Sequence, residues 1–364
     1  MARGHRVRQV GPTANLARYA LAMDAPLLLR HLDSRSILRL EPSYGCVATS
    51  WTVGASEILA LPAPIEEFLA AERTGGIPLL YPYANRLRAN TFTVCGRKVD
   101  LSAVPGLKRD ATGLPMHGLL LRWSRWKVTV AADGASATAS IDWAAEPALF
   151  AAFPFAHSLE VHWRLGGDAE RATLEVTTTV RADRAEAVPI AFGWHPYFRA
   201  ENAASTRVTV PNRRRVALLS SGVPEIPLTI DGVSGESEMG VGGGDDALFQ
   251  LVESSSDQEE ILATMRDGHR ELELCFNEGC RWMQIFSPIP VPARAPFISL
   301  EPMAAPTSAL TDGCATVIAP GEEFTMRWRL RVRAQLGASL NASPNTSLNT
   351  SLNTSLNTGH SDRA

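Results

Sequence analysis

The sequence predicts an all-β chain folded as a large antiparallel β-sandwich, on three observations. Apolar and polar residues alternate with period two through many short runs, helix-period segments are scarce, and 24 prolines and 27 glycines punctuate the runs. No regular strand–helix alternation exists to supply parallel crossovers, so antiparallel pairing follows.

Taken in order, the first segment with helical spacing is IEEFLAAE (65–72), which follows Pro64 and supplies about two turns. FTVCGRKVDL (92–101) reads as a hairpin turning at Gly96. LEVTTTV (174–180) sets Leu174, Val176, Thr178 and Val180 on one face of a strand. ILATMRDGHRELELCF (261–276) is two alternating runs joined by Asp267-Gly268, a pair that tolerates the positive φ of a tight hairpin. MRWRLRVR (326–333) places Met326, Trp328, Leu330 and Val332 on one face and arginines on the other.

No Pro/Gly/Ser-rich linker divides residues 25–335, so one domain is expected there. Residues 1–24 carry early arginines, and Arg18 and Asp24 interrupt their apolar stretches. They make a poor signal peptide and are expected to be a weakly ordered extension, with Met23 as an alternative start. Residues 336–364 contain a tandem SLNT repeat, too poor in apolar side chains to offset the entropy of ordering, and are expected to be disordered.

The 35 basic and 38 acidic residues leave a net charge of −3, and the basic ones are scattered. That argues against a nucleic-acid groove or an anionic membrane as partner. No apolar run approaches the roughly 18 residues of a membrane span. The five cysteines are odd in number and contain no CxxC pair, as expected of reduced thiols in a cytoplasmic protein. In that compartment the Asn-x-Ser sequons at Asn341, Asn345, Asn349 and Asn353 are incidental. Nucleotide-binding glycine loops, GxSxG and HExxH are absent, and no close ligand spacing supports a metal site.

The polar residues with distinctive surroundings are few. His195, in FGWHPYF, stands between aromatic pairs, and Pro196 pushes it toward extended geometry. His117, in LPMHGLL, is flanked by apolar residues. Singly, each ring reads as a satisfied core histidine sooner than as a functional group. His157 and His162 fall on opposite faces of one strand and are assigned to structure. Glu301 ends the apolar run of PFISLEPM, where burial would raise its pKa toward that of a general base; a salt bridge would explain it equally well. Arg86 follows Tyr81, Tyr83 and Asn85, either as a hydroxyl-binding guanidinium or as an arginine stacked on tyrosine. Asp246 follows a glycine run, and Gln284 lies in an apolar strand with Trp282 and Phe286 on its face. A lone buried amide needs partners, supplied by backbone or by ligand.

As an ordered set, PLLYPYANRLRANTF, PMHG, FGWHPYF, DALF, WMQIFSP, PFISLEP and PTSALTDGCATVIAPGE resemble the aldose 1-epimerase (galactose mutarotase-like) family, over roughly residues 39–333. The resemblance implies a β-supersandwich that interconverts α and β anomers of a free sugar without cofactor or metal, as a monomer or homodimer. By motif it implies His195 as general acid and Glu301 as general base, with Arg86, His117, Asp246 and Gln284 holding sugar hydroxyls. Asp245 is the alternative to Asp246. Trp194 and Tyr197 are expected to position the ring or stack on the sugar. The best-known galactose-acting members lack the proline after the histidine and continue Tyr-Phe-Asn-Leu, where this chain has Pro196 and YFRA, so the sugar is left open. A related branch uses arginines to hold hexose 6-phosphates, which makes Arg88, Arg199 and Arg281 candidates for a phosphate. The alternative from another class is a noncatalytic carbohydrate-binding module on the same fold.

Overall fold

A computed structural model describes residues 25–334, apart from residues 72, 211–212, 235–236, 252–259, 269 and 292–293. The expected N-terminal extension and C-terminal tail lie outside the described residues. Two large antiparallel sheets dominate.

The first sheet has, among the described residues, nine strands in the order Ser237–Gly240, Arg207–Val210, Glu260–Asp267, Arg270–Glu278, Glu323–Ala334, Arg171–Ala182, His157–Gly167, Ser136–Asp142 and Lys127–Val130. The period-two patterns register directly: Leu174 faces Leu330, Val176 faces Trp328 and Thr178 faces Met326. The outward arginines of Glu323–Ala334 meet acidic residues of its neighbours, with Arg331 3.5 Å from Glu273 and Arg333 3.8 Å from Glu271. Such pairs contribute little individually but satisfy a charged face. Both expected hairpins form. Thr91–Val94 pairs with Arg97–Asp100 through Cys95 and Gly96, at φ 49° and 72°. Glu260–Asp267 pairs with Arg270–Glu278 around Gly268 at φ 53°.

The second sheet, with eight strands among the described residues, orders Ile230–Ser234, Arg213–Val216, Asp245–Leu251, Trp282–Ser287, Phe297–Met303, Gly193–Trp194 and Leu79–Leu80. Tyr197–Arg199 also pairs with Phe297–Met303. The sheets pack through one apolar core that includes Leu174, Trp328 and Leu330 from the first and Met283, Ile285, Ile298 and Leu300 from the second. Trp194 of the second sheet sits edge-on to Trp163 and Trp328 of the first, at 5.1 and 5.9 Å between ring centroids.

The helix expected after Pro64 spans Ile65–Ala70 and ends where Ala71 turns extended. Pro147–Ala152 and Ala309–Asp312 are two further short helices, with no helical period in the sequence to announce them. No helix among the described residues is long and apolar enough to cross a membrane.

His157 occupies the structural place expected of it. Its ring stacks on Trp143 at 4.9 Å, Nδ1 donates to the Phe155 carbonyl at 2.7 Å, and Nε2 accepts from the Tyr81 hydroxyl. Burial pushes its pKa down to about 4, against smaller upward pulls from the Phe155 carbonyl and Asp142. The unfolded ring takes a proton near 6.5, the folded ring only near 4, so protons favour the unfolded chain between those values. The stabilisation from the neutral ring is complete above the unfolded value and is lost as pH falls toward 4, to the extent of about 3 kcal/mol. Urea midpoints measured from neutrality down to pH 4 should fall more steeply for the wild type than for His157→Gln, by the slope of about one proton.

Candidate active site

The strand Phe297–Met303 is buried on both faces, which explains why its sequence reads as an unbroken apolar run. Ile298 and Leu300 enter the core between the sheets, so Ser299, Glu301 and Met303 face the other way. The register of neighbouring strands then brings polar groups to that face. Gln284 stands opposite Glu301, Phe286 and Tyr197 opposite Ser299, and Asp246 opposite Phe286. His195 arrives from the flanking strand, where Gly193 pairs with Met303; a Cβ on Gly193 would lie 2.7 Å from Met303 Cγ, so only glycine lets the segment this close. The His195 and Tyr197 amides are tied to the carbonyls of Pro78 and Gly76.

The opposite wall comes from two linked loops. The His117 amide donates to the Asn85 carbonyl at 2.7 Å, and both residues have left-handed backbones, φ 64° and 51°. Such conformations are sparse for non-glycine residues and persist only where the surroundings hold them. Arg86 bridges to Met116, and Gly118 packs on the Tyr81 backbone, where a Cβ would meet the carbonyl oxygen at 2.2 Å.

All six residues singled out from the sequence, Arg86, His117, His195, Asp246, Gln284 and Glu301, line one cavity of about 200 Å³ together with Thr74, Asn85, Met116, Tyr197, Gly222, Phe286 and Thr307. His195 Nε2 lies 3.3 Å from Glu301 Oε1. Its Nδ1 is 2.7 Å from Ser299 Oγ, and its ring stacks on Tyr197 at 4.5 Å and 11°. The Tyr197 hydroxyl is 3.2 Å from Nε2 and 2.7 Å from Thr74 Oγ1. Gln284 Nε2 donates to Asp246 Oδ1, Asn85 Nδ2 donates to Thr307 Oγ1 at 3.2 Å, and Arg86 Nε lies 3.7 Å from Asp110 Oδ2. Three buried polar atoms of the lining have no hydrogen-bond partner among the described residues: Glu301 Oε2, Gln284 Oε1 and His117 Nδ1. Unsatisfied buried groups are costly and call for a partner.

Burial, reinforced by Asp246 and opposed by Arg86 and the Asn85 amide, pushes the Glu301 pKa well above the usual carboxylate range. Burial pushes His195 down to about 3, with the Lys108 charge adding to the depression. Burial likewise holds His117 far below the ordinary imidazole value, followed by the charges of His195, Lys108 and Arg86. Burial thus favours an uncharged pair, with one proton shared by a carboxyl and an imidazole in near contact.

The remaining expectations are met unevenly. Asp246 lines the cavity. Tyr197 stacks on His195, but Trp194 points into the core, its Nε1 donating to Thr178 Oγ1 at 3.0 Å, and has no face for a sugar. None of the candidate phosphate arginines lines the cavity. Arg88 is engaged by Asp312 at 3.0 Å and by the Pro224 carbonyl, while Arg199 and Arg281 border separate hollows. Thr74, Thr307, Ser299 and Gly222 had no signal in the sequence: small polar residues and a loop glycine look alike wherever they occur. No group of three or more His, Cys, Asp or Glu residues among those described is placed to hold a metal ion.

Comparison with known proteins places these observations. The family model for aldose 1-epimerase matches residues 41–331, and the chain belongs to that family. No curated protein matches the chain. Among solved structures it is similar in fold to the Slr1438 protein of Synechocystis sp. PCC 6803, with a TM-score of 0.66 and 19% identity, covering 85% of this chain and 96% of that one. A galactose mutarotase related enzyme of Lactobacillus acidophilus gives 0.64 at 16% identity, covering 85% and 98%. The GalM/aldose epimerase homologue of C. elegans gives 0.64 at 13% identity, covering 85% and 99%.

Gly222 approaches Arg86 so closely that a Cβ would stand 2.7 Å from Nη1, at a φ of 78°. In Gly222→Ala the guanidinium must move and the backbone is strained by about 1–2 kcal/mol. The expected result is a modest fall in Tm together with roughly tenfold weaker binding of a monosaccharide ligand by calorimetry; unchanged affinity would remove Arg86 from the binding set.

Proposed function

We propose that this chain is a cofactor-independent aldose 1-epimerase acting on a free monosaccharide, with His195 as general acid and Glu301 as general base. The observation that carries the proposal is the 3.3 Å approach of His195 Nε2 to Glu301 Oε1 on the wall of a cavity of about 200 Å³. Converting one anomer into the other requires removing the proton of the anomeric hydroxyl and protonating the ring oxygen. The Glu301 carboxylate takes the first proton as the C1–O1 carbonyl forms, and the His195 imidazolium delivers the second as the C1–O5 bond breaks. Rotation about C1–C2 and reversal of both transfers give the other anomer and return each proton to its origin.

The pair needs one proton in total, and that is the state its environment favours. When a sugar displaces the direct contact, its hydroxyls pair with Glu301 Oε2, Gln284 Oε1 and His117 Nδ1, and these hydrogen bonds favour the charged form of the pair. Arg86 is the one arginine or lysine in the described lining, which suits an unphosphorylated sugar better than a hexose 6-phosphate. A noncatalytic module would need the cup and the hydroxyl-binding groups but not a buried carboxyl against a buried imidazole, whose desolvation is costly.

Polarimetry of freshly dissolved α-D-glucose and α-D-galactose tests the reading. Wild type should accelerate mutarotation of at least one sugar, and His195→Ala and Glu301→Gln should each lower kcat by about 10²–10⁴-fold. Binding of the sugars without acceleration would identify a module instead. Activity requires the one-proton state, which is bounded on the acid side by His195, depressed toward 3, and on the alkaline side by Glu301, raised far above 4.5. The kcat/KM profile should therefore run flat through neutrality and down past the ordinary imidazole value, falling only toward pH 3; a drop centred near 6.5 would contradict it.

A further inference from the structure

Ser299 is not among the residues the family resemblance implies. It is fully buried, it stands between Ile298 and Leu300 on the strand that carries Glu301, and its hydroxyl makes two short contacts. Ser299 Oγ is 2.7 Å from the Pro196 carbonyl oxygen and 2.7 Å from His195 Nδ1. A carbonyl can only accept, and a serine hydroxyl has one proton. That proton is committed to Pro196, so toward His195 the serine oxygen presents lone pairs only. Nδ1 must then be the donor, in the neutral ring as in the cation. The nitrogen left to gain and lose a proton is Nε2, the one that faces Glu301 Oε1 at 3.3 Å and the cavity.

We propose that Ser299 is a positioning residue that locks His195 in the Nδ1–H tautomer, so that proton exchange with the sugar runs through Nε2 alone. The proposal rests on the mutarotase reading for its consequence in turnover, though not for its geometry. An imidazolium carries two protons, and only one of them can reach the ring oxygen. With an acceptor fixed on Nδ1, release from that side is blocked and every deprotonation yields a neutral ring with its lone pair at Nε2, ready to take back the proton of the C5 hydroxyl when the ring closes. The bond also favours the cation inside an apolar frame that otherwise opposes it. Tyr197 completes the device by lying flat against the imidazole, its hydroxyl anchored to Thr74, so that rotation of the ring about χ2 is blocked as well. The titratable and charged groups that bear on His195 are Glu301 at 3.3 Å from Nε2, the His117 ring at 5.3 Å between centroids and the Lys108 charge, while Nδ1 meets Ser299 Oγ.

The lock can be tested with a matched pair of variants. Thr and Val have the same shape, so Ser299→Thr and Ser299→Val add the same extra methyl at this buried position and differ in the hydroxyl alone. Ser299→Thr should keep kcat within a few-fold of wild type. Ser299→Val, and the smaller Ser299→Ala, should lower kcat by about 10- to 100-fold, the value of a hydrogen bond to a charged group, with KM changed less than about threefold. In ¹⁵N-histidine spectra of the wild-type protein, with the signal assigned by its loss in His195→Gln, His195 should show a protonated Nδ1 and an unprotonated Nε2 at neutral pH, and Ser299→Val should show mixed tautomers. Equal kcat in the Thr and Val variants, or a wild-type His195 protonated at Nε2 and bare at Nδ1, would overturn the lock. Should all three variants fail to fold, the wild-type spectrum still decides. A wild type that accelerates no aldose would refute the mutarotase reading while leaving the tautomer assignment to stand or fall on the spectrum.

Discussion

The site depends on one strand being buried on both faces. In Phe297–Met303 the odd-numbered positions Ser299, Glu301 and Met303 look away from the core that Ile298 and Leu300 help to fill. Backbone parity does the placing: side chains alternate faces, and partners in register share one. Gln284, Phe286, Asp246 and Tyr197 are brought to Glu301 by strand pairing and not by any chemistry of their own. A one-residue slip of this strand would send Leu300 into the cavity and the carboxylate into the apolar core, where no cation waits for it.

Burying an acid and a base together is expensive, and the way the fold meets that cost explains the composition of the cavity. Arg86 is itself held toward Asp110, and its pull on Glu301 is opposed by the like charge of Asp246. Burial lowers the imidazole and raises the carboxyl, which favours one proton held between the two groups and an uncharged pair. The aromatic and apolar frame around His195 (Tyr197, Phe286 and the His117 edge) prevents the ring from turning to find other partners. Desolvation and restricted rotation therefore come from the same side chains.

Much of this was legible in the chain itself. Alternation in LEVTTTV and MRWRLRVR specified two strands and the faces they bury, while the pairing of Leu174 with Leu330 came only with the register of the sheet. The turns at Gly96 and Gly268 needed positive φ and found residues that permit it. The six polar residues were visible because their types and flanks are unusual: a histidine before proline among aromatics, a carboxylate at the end of an apolar run. What could not be read was the filling between them. Ser299 is an ordinary serine until Pro196 and His195 are seen beside it, and Trp194 looked as available as Tyr197 until strand parity sent it into the core. The arginines at 88, 199 and 281 lie close to the motifs in sequence, yet Arg88 is directed elsewhere by Asp312 and Pro224, distant along the chain, and Arg199 and Arg281 border other hollows.

The paired left-handed residues Asn85 and His117 have an implication for how the cavity comes into being. Asn and His tolerate that region better than most residues, and the two loops are joined by the bond from the His117 amide to the Asn85 carbonyl, while much of the lining they face arrives from beyond residue 190. Loops of that length close late, and strain of that kind is tolerated only once closure is complete. Secondary structure can thus be present well before the cavity is, and turnover becomes a stricter gauge of native assembly than any spectrum of the backbone.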